Sequence, residues 1–202
     1  MVWHDPVALW TDSAKKSPYK RRSFINLGHA FIGEKQYQQA IVALDRAISL
    51  NESDFEAYYN RGVAFENIGQ LDKAVQDYSI AIALNHSYYK AYNNRGALYG
   101  KKGMVEEALV DLNQAIVLNP TYATAYNNRG YTYVLINRDD EALEDFNKAI
   151  EFDLNHVVPS VYVDRGNLYL KRDVRDLALS DFDAACNLGI KEGCDALKKN
   201  RK

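Results

Sequence analysis

The sequence predicts an all-α fold, a solenoid of antiparallel helix pairs, on three observations. Gly28, Gly62, Gly96 and Gly130 recur every 34 residues, and Gly166 follows after 36. Alanine stands twelve residues beyond each glycine, at Ala40, Ala74, Ala108, Ala142 and Ala178, and again seven later, at Ala47, Ala81, Ala115, Ala149 and Ala185. Bulky residues keep the same phase. Leu44, Tyr78, Leu112, Phe146 and Phe182 lie between the alanines. Phe24, Tyr58, Tyr92, Tyr126 and Tyr162 precede the glycines, and Phe31, Phe65, Tyr99, Tyr133 and Tyr169 follow them.

Self-similarity at this period marks repeat architectures. Spacings of three, four and seven place the small and large positions on one helical face. Neither helix of a pair buries that face alone, so neighbouring pairs must stack. The small residues let the two helices approach, and the bulky ones fill the space beside the contact.

The pattern resembles the tetratricopeptide repeat (TPR), with small residues at positions 8, 20 and 27 and bulky ones at 4, 11 and 24. The resemblance implies a right-handed superhelix. With Gly28 at position 8, five repeats run over 21–54, 55–88, 89–122, 123–156 and 159–192. Position 32 departs from the family, since only Pro120 supplies its proline. A two-residue slip at Val157-Val158-Pro159 suggests a tilted last repeat. Residues 1–20 read as an orphan helix or N-terminal cap, and residues 193–202 as a polar capping helix.

Composition narrows the function. The 202 residues carry a net charge of -2, so no basic field draws the chain to nucleic acid. No apolar run reaches the ~20 residues of a membrane span, and no charged-then-apolar leader is visible. Direct membrane insertion by this chain is therefore not expected. His4, His29, His86 and His156 are scattered, so neither a metal site nor a cofactor is expected. Gly100-Lys101-Lys102-Gly103 lacks phosphate-loop spacing, and no nucleophile–base motif appears, so an enzyme is not expected.

Two features exceed what folding requires. Position 6 carries Asn26, Asn60, Asn94, Asn128 and then Asp164. In TPR proteins this position lines the concave groove, and a similar asparagine ladder in the O-GlcNAc transferase superhelix grips extended peptides. A carboxamide offers donors and an acceptor that match a peptide backbone without reading its side chains. Asn93 and Asn127 at position 5 and Tyr131 at position 9 join the expected groove. The lysines and arginine of the carboxylate clamp that binds chaperone C-termini are missing.

The second feature pairs position 7 with position 23: Arg61 with Asp77, Arg95 with Asp111, Arg129 with Asp145, and Arg165 with Asp181. The first repeat loses both, with Leu27 and Ala43. Joint presence and joint absence predict a structural ion pair between the two helices of each repeat.

The leading expectation is a scaffold that binds a peptide or partner protein. Self-association through Trp3 and Trp10 at the N-terminal edge is a second. A third comes from Val2-Trp3-His4-Asp5 to Leu9-Trp10, Lys16-Ser17-Pro18 and Asn26-Leu27-Gly28. These stretches resemble the C-terminal TPR region of bacterial multipass glycosyltransferase-like membrane proteins. That resemblance implies an excised extracytoplasmic domain. Cys186 and Cys194 are read as two small buried thiols in preference to a disulfide, which an extracytoplasmic setting would favour. Asn51-Glu52-Ser53 and Asn85-His86-Ser87 match the glycosylation sequon in inter-repeat loops.

Overall fold

The computed structural model describes residues 5–153 and 158–201. Among them are twelve α-helices and no strand, an all-α solenoid fold. The chain divides into two compact units, Met1–Leu98 and Tyr99–Lys202.

The first unit opens with α1 (Pro6–Lys16), followed by α2 (Arg21–Gly33), α3 (Tyr37–Leu50), α4 (Phe55–Asn67) and α5 (Leu71–Leu84). Helix α6 (Tyr89–Lys101) begins in this unit and ends in the next. The second unit continues with α7 (Val105–Leu118), α8 (Ala123–Leu135), α9 (Asp139–Phe152), α10 (Val161–Lys171), α11 (Arg175–Asn187) and α12 (Lys191–Asn200).

Local chemistry sets the helix boundaries. Asp5 Oδ1 accepts from the backbone N–H of Val7 at 2.8 Å and Ala8 at 3.2 Å, and Pro6 supplies a pre-set φ at the first turn of α1. Asp54 caps α4 in the same way, through Glu56 N and Ala57 N. Each turn between paired helices closes on a residue with positive φ: Lys35, Gly69, Gly103, Asn137 or Asp173. The next N–H then reaches back to the helix, as from Gln36 to the Phe31 carbonyl at 2.8 Å. Glycine adopts this conformation freely; Lys35 does so against the clash of its Cβ.

The exits between repeats use asparagine. Asn51, Asn85 and Asn119 turn their side-chain oxygens onto the backbone N–H two residues on, at 3.0, 3.0 and 3.3 Å. Asn51 and Asn85 are the sequon asparagines, and this Asx turn accounts for them structurally. The equivalent residue of the fourth repeat is Asp153, whose carboxylate accepts instead from Val158 N at 2.8 Å. Val157, the first residue of the two-residue slip, lies outside the described residues.

The core follows the repeat phase. The alanines and bulky residues at positions 20, 24 and 27 are fully buried in every repeat. The glycine at position 8 is needed for close approach. A Cβ on Gly62 would meet the Tyr78 ring at 2.7 Å, and one on Gly130 would meet the Phe146 ring at 2.7 Å.

The C-terminal end corrects the thiol reading. Cys186, late in α11, and Cys194, early in α12, are joined as a disulfide, with their Cα atoms 4.5 Å apart. Gly193 brings the two helices this close, since a Cβ there would lie 2.5 Å from that of Ala185. Helix α12 starts at Lys191, two residues before the expected cap boundary.

Candidate functional site

The arginines at position 7 form two-pronged clamps between the helices of a repeat. Arg61 donates from Nε and Nη2 to both carboxylate oxygens of Asp77 at 2.8 Å. Arg129 holds Asp145 at 2.7 Å through both nitrogens, and Arg165 holds Asp181 at 2.9 and 2.7 Å. Burial pushes the Asp77 carboxyl up while the Arg61 guanidinium opposes it. Arg95 and Asp111 belong to different units, and their pairing stands as a sequence expectation.

The clamps also reach back one repeat, which the sequence reading did not anticipate. Arg61 Nη1 donates to Asp45 at 2.6 Å, Arg95 Nη1 to Ser79 at 2.9 Å, Arg129 Nη1 to Asn113 at 2.6 Å and Arg165 Nη1 to Asn147 at 2.5 Å. All four acceptors occupy position 25, so a short oxygen-bearing residue at one register was the available signal. The guanidiniums of Arg61, Arg129 and Arg165 also lie between the aromatic rings of positions 4 and 11, at 5.4–6.0 Å from the ring centres.

In the first repeat, Leu27 and Ala43 replace the clamp and pack with Ala14 of α1. Phe24 and Phe31, freed from flanking an arginine, join Val7 and Trp10 in that apolar cluster. Trp10 is thus half-buried against the chain itself, while Trp3 lies outside the described residues. Phe24, Leu27, Phe31, Val42 and Ala43 line an apolar cavity of about 570 Å³.

The position-6 residues have unequal surroundings. In the first unit, Asn26 and Asn60 are half-buried, and their carboxamides have no hydrogen-bond partner among the described residues. Asn94 differs. Its Nδ2 donates to the hydroxyls of Tyr59 and Tyr78 at 3.4 and 3.3 Å, and its Oδ1 accepts from Asn93 Nδ2 at 2.9 Å. The Tyr78 hydroxyl in turn donates to Glu66 Oε2 at 2.9 Å. Burial, then the Glu66 charge, pushes the Tyr78 phenol well above its ordinary range.

Asn93 and Asn127, expected in the groove, are buried, at 2% and 9% exposure. They stand about 100° around the helix from the position-6 residue and point into the helix packing. The Asn127 Oδ1 is buried without a partner among the described residues.

In the second unit Asn128 is half-buried on α8. Asp164 of α10 lies in a cavity of about 280 Å³. Tyr131 and Val134 of α8, Phe146 of α9, and Asn167, Leu168 and Lys171 of α10 line it with Asp164. Burial pushes the Asp164 carboxyl up to about 6. Lys171 does not neutralise it, because its ammonium sits 2.7 Å from the Asp139 carboxylate. Among the described residues no cluster of three or more His, Cys, Asp or Glu side chains is placed to hold a metal, and no helix is long and apolar enough to cross a membrane.

Family models match this repeat pattern. The tetratricopeptide-repeat model matches residues 55–88, 89–122 and 123–156, and a second TPR-repeat model matches 28–69. The chain belongs to the tetratricopeptide-repeat family. No curated protein matches the sequence. Among solved structures, this TPR chain is similar to MamA at 28% identity and TM-score 0.65, covering 73% of this chain and 86% of that one. It superposes on a chain of the APC/C hetero-tetramer Cut9–Hcn1 with TM-score 0.87 and 20% identity, covering 97% of this chain but 39% of that one. It is also similar to YrrB, a TPR protein with an unusual peptide-binding site, at 21% identity and TM-score 0.65, with 94% and 97% covered.

Proposed function

We propose that this TPR scaffold holds an extended peptide segment of a partner protein along its helix-A faces. One observation supports this above the others: Asp164 at position 6 shares a single open cavity with Tyr131 and Asn167, the position-9 residues of two successive A helices. These are the registers at which the family lines its groove. In the first unit, the carboxamides of Asn26 and Asn60, unpartnered among the described residues, supply peptide-like donors and acceptors on the same register. The Cys186–Cys194 bond fits an oxidising compartment.

Peptide selection against the intact chain, followed by anisotropy titration of the recovered sequences, tests the reading. The double variant Asn26→Ala/Asn60→Ala is expected to bind about tenfold more weakly. Equal affinity would remove the carboxamides from the binding surface. Asn94→Ala is a poorer probe, because its carboxamide is engaged by Tyr59 and Tyr78.

A further inference from the structure

The position-6 series ends on a residue of different chemistry. Asn26, Asn60, Asn94 and Asn128 are neutral, whereas Asp164 is an acid. A carboxylate in the same register cannot donate, and its charge is costly to bury unless a cation answers it. Among the described residues no answering charge is in place around Asp164. Lys171, the cation among the residues lining the cavity, is held by both oxygens of Asp139, at 2.9 and 2.7 Å. Arg165, next in sequence, turns away to Asp181 and Asn147. The remaining wall is formed by Val134, Phe146, Leu168, the half-exposed Tyr131 and the uncharged carboxamide of Asn167.

We propose that this cavity is a specificity pocket for a basic side chain, lysine or arginine, of the bound peptide. The proposal rests on the peptide-binding reading above and names what one part of that peptide must carry. The aliphatic stem of such a side chain lies along Val134 and Leu168, as long cationic residues commonly bury their stems. Its charged head meets the Asp164 carboxylate, with the Tyr131 ring alongside as a further site of attraction. A neutral or acidic side chain leaves the carboxylate buried and unanswered, so the pocket discriminates by charge as well as by shape.

The carboxyl titrates near pH 6 in the free chain because burial disfavours its ionised form. Binding of a cation therefore strengthens as pH rises through that region. Among the described residues, the other titratable groups at the cavity are Tyr131 on α8 and Lys171 on α10, the latter tied to Asp139 at the start of α9. Helices α11 and α12 contribute nothing to its lining.

The test is a randomised peptide library selected in parallel on the intact wild type, Asp164→Asn and Asn26→Ala/Asn60→Ala. Asparagine is the residue the other four repeats already carry at this register, so Asp164→Asn preserves the local shape. The wild type should enrich lysine or arginine at one peptide position, and replacing that residue by norleucine or glutamine should weaken binding about tenfold. Asp164→Asn should still bind peptides but lose the enrichment, and Asp164→Lys should reverse it toward acidic residues. Peptides selected without a basic preference, or a preference untouched in Asp164→Asn, overturn the pocket while leaving peptide binding standing. Recovery of no peptide by any form overturns both.

Discussion

The first and fifth repeats close the seam between their helices by different chemistry. In the fifth, Arg165 bridges α10 to Asp181 on α11 and to Asn147 of the repeat before it, flanked by Tyr162 and Tyr169. In the first, Leu27 and Ala43 fill the same place, and the two phenylalanines at the flanking positions turn to α1. The caps follow suit: α1 is held on α2 by apolar packing, whereas α12 is bonded covalently to α11. The comparison teaches that the fold requires the seam to be filled, not charged. The arginine adds a link from its repeat to the one before, and in the repeat of residues 21–54 apolar packing on Ala14 of α1 stands in its place.

The sharpest way to break this comparison is to give the fifth repeat half of the first repeat's solution. Arg165→Leu leaves Asp181, 5% exposed, without its cation, and should cost about 2–4 kcal/mol in urea unfolding. The double variant Arg165→Leu/Asp181→Ala reproduces the first repeat and should fall within about 1 kcal/mol of wild type. Equal losses in the two variants would mean that the charged clamp itself, rather than relief of a stranded carboxylate, stabilises the repeat.

The caps come next in expected effect. Removing the bond with Cys186→Ser/Cys194→Ser should lower stability by about 2–3 kcal/mol, as expected for a short closed loop. Reduction of the wild type by dithiothreitol should match it. If neither shifts the urea midpoint, packing around Gly193 holds α12 as apolar packing holds α1, and the two ends differ less than their chemistry suggests.

The seam is legible in the sequence because glycine and alanine at fixed spacing have one physical use there, close approach of two helices. The position 7 and 23 pairs are legible because each member of a half-buried ion pair is unfavourable without the other, so they appear and vanish together. The contact from arginine to position 25 is harder to see. Asp45, Ser79, Asn113 and Asn147 share only a short side chain bearing an oxygen, and no single residue type flags the register. The engagement of Asn94 is not legible at all. It depends on the Tyr78 phenol, a core residue at position 24, reaching Glu66 and the position-6 carboxamide of Asn94. The burial of Asn93 and Asn127 escapes for a related reason: position 5 mixes these asparagines with Ile25, Tyr59 and Val163, while its direction is set by packing.

Asp164 carries the smallest effect on stability, and it ties the fifth repeat's chemistry to its use. Its folded-state pKa of about 6 stands above the ordinary 3.8, so the native chain holds this proton more tightly than the unfolded chain does. The stability it contributes is fully present below the unfolded value and is lost as pH rises through about 6. Above that, the ionised carboxyl opposes folding by about 1–2 kcal/mol, allowing for its partial exposure. Asp164→Asn removes the opposition. The variant should therefore unfold at higher urea than wild type at about pH 7.5, and the gap should close by about pH 4. Asn26→Ala, at the same register of the first repeat, should show no such pH dependence, since no ionisable group is lost. Such a pH dependence is what the proposed pocket requires, a charge kept for a ligand to answer. If Asp164→Asn is no more stable at neutral pH, the carboxylate is already answered within the chain, and the fifth repeat differs from the first in its seam alone.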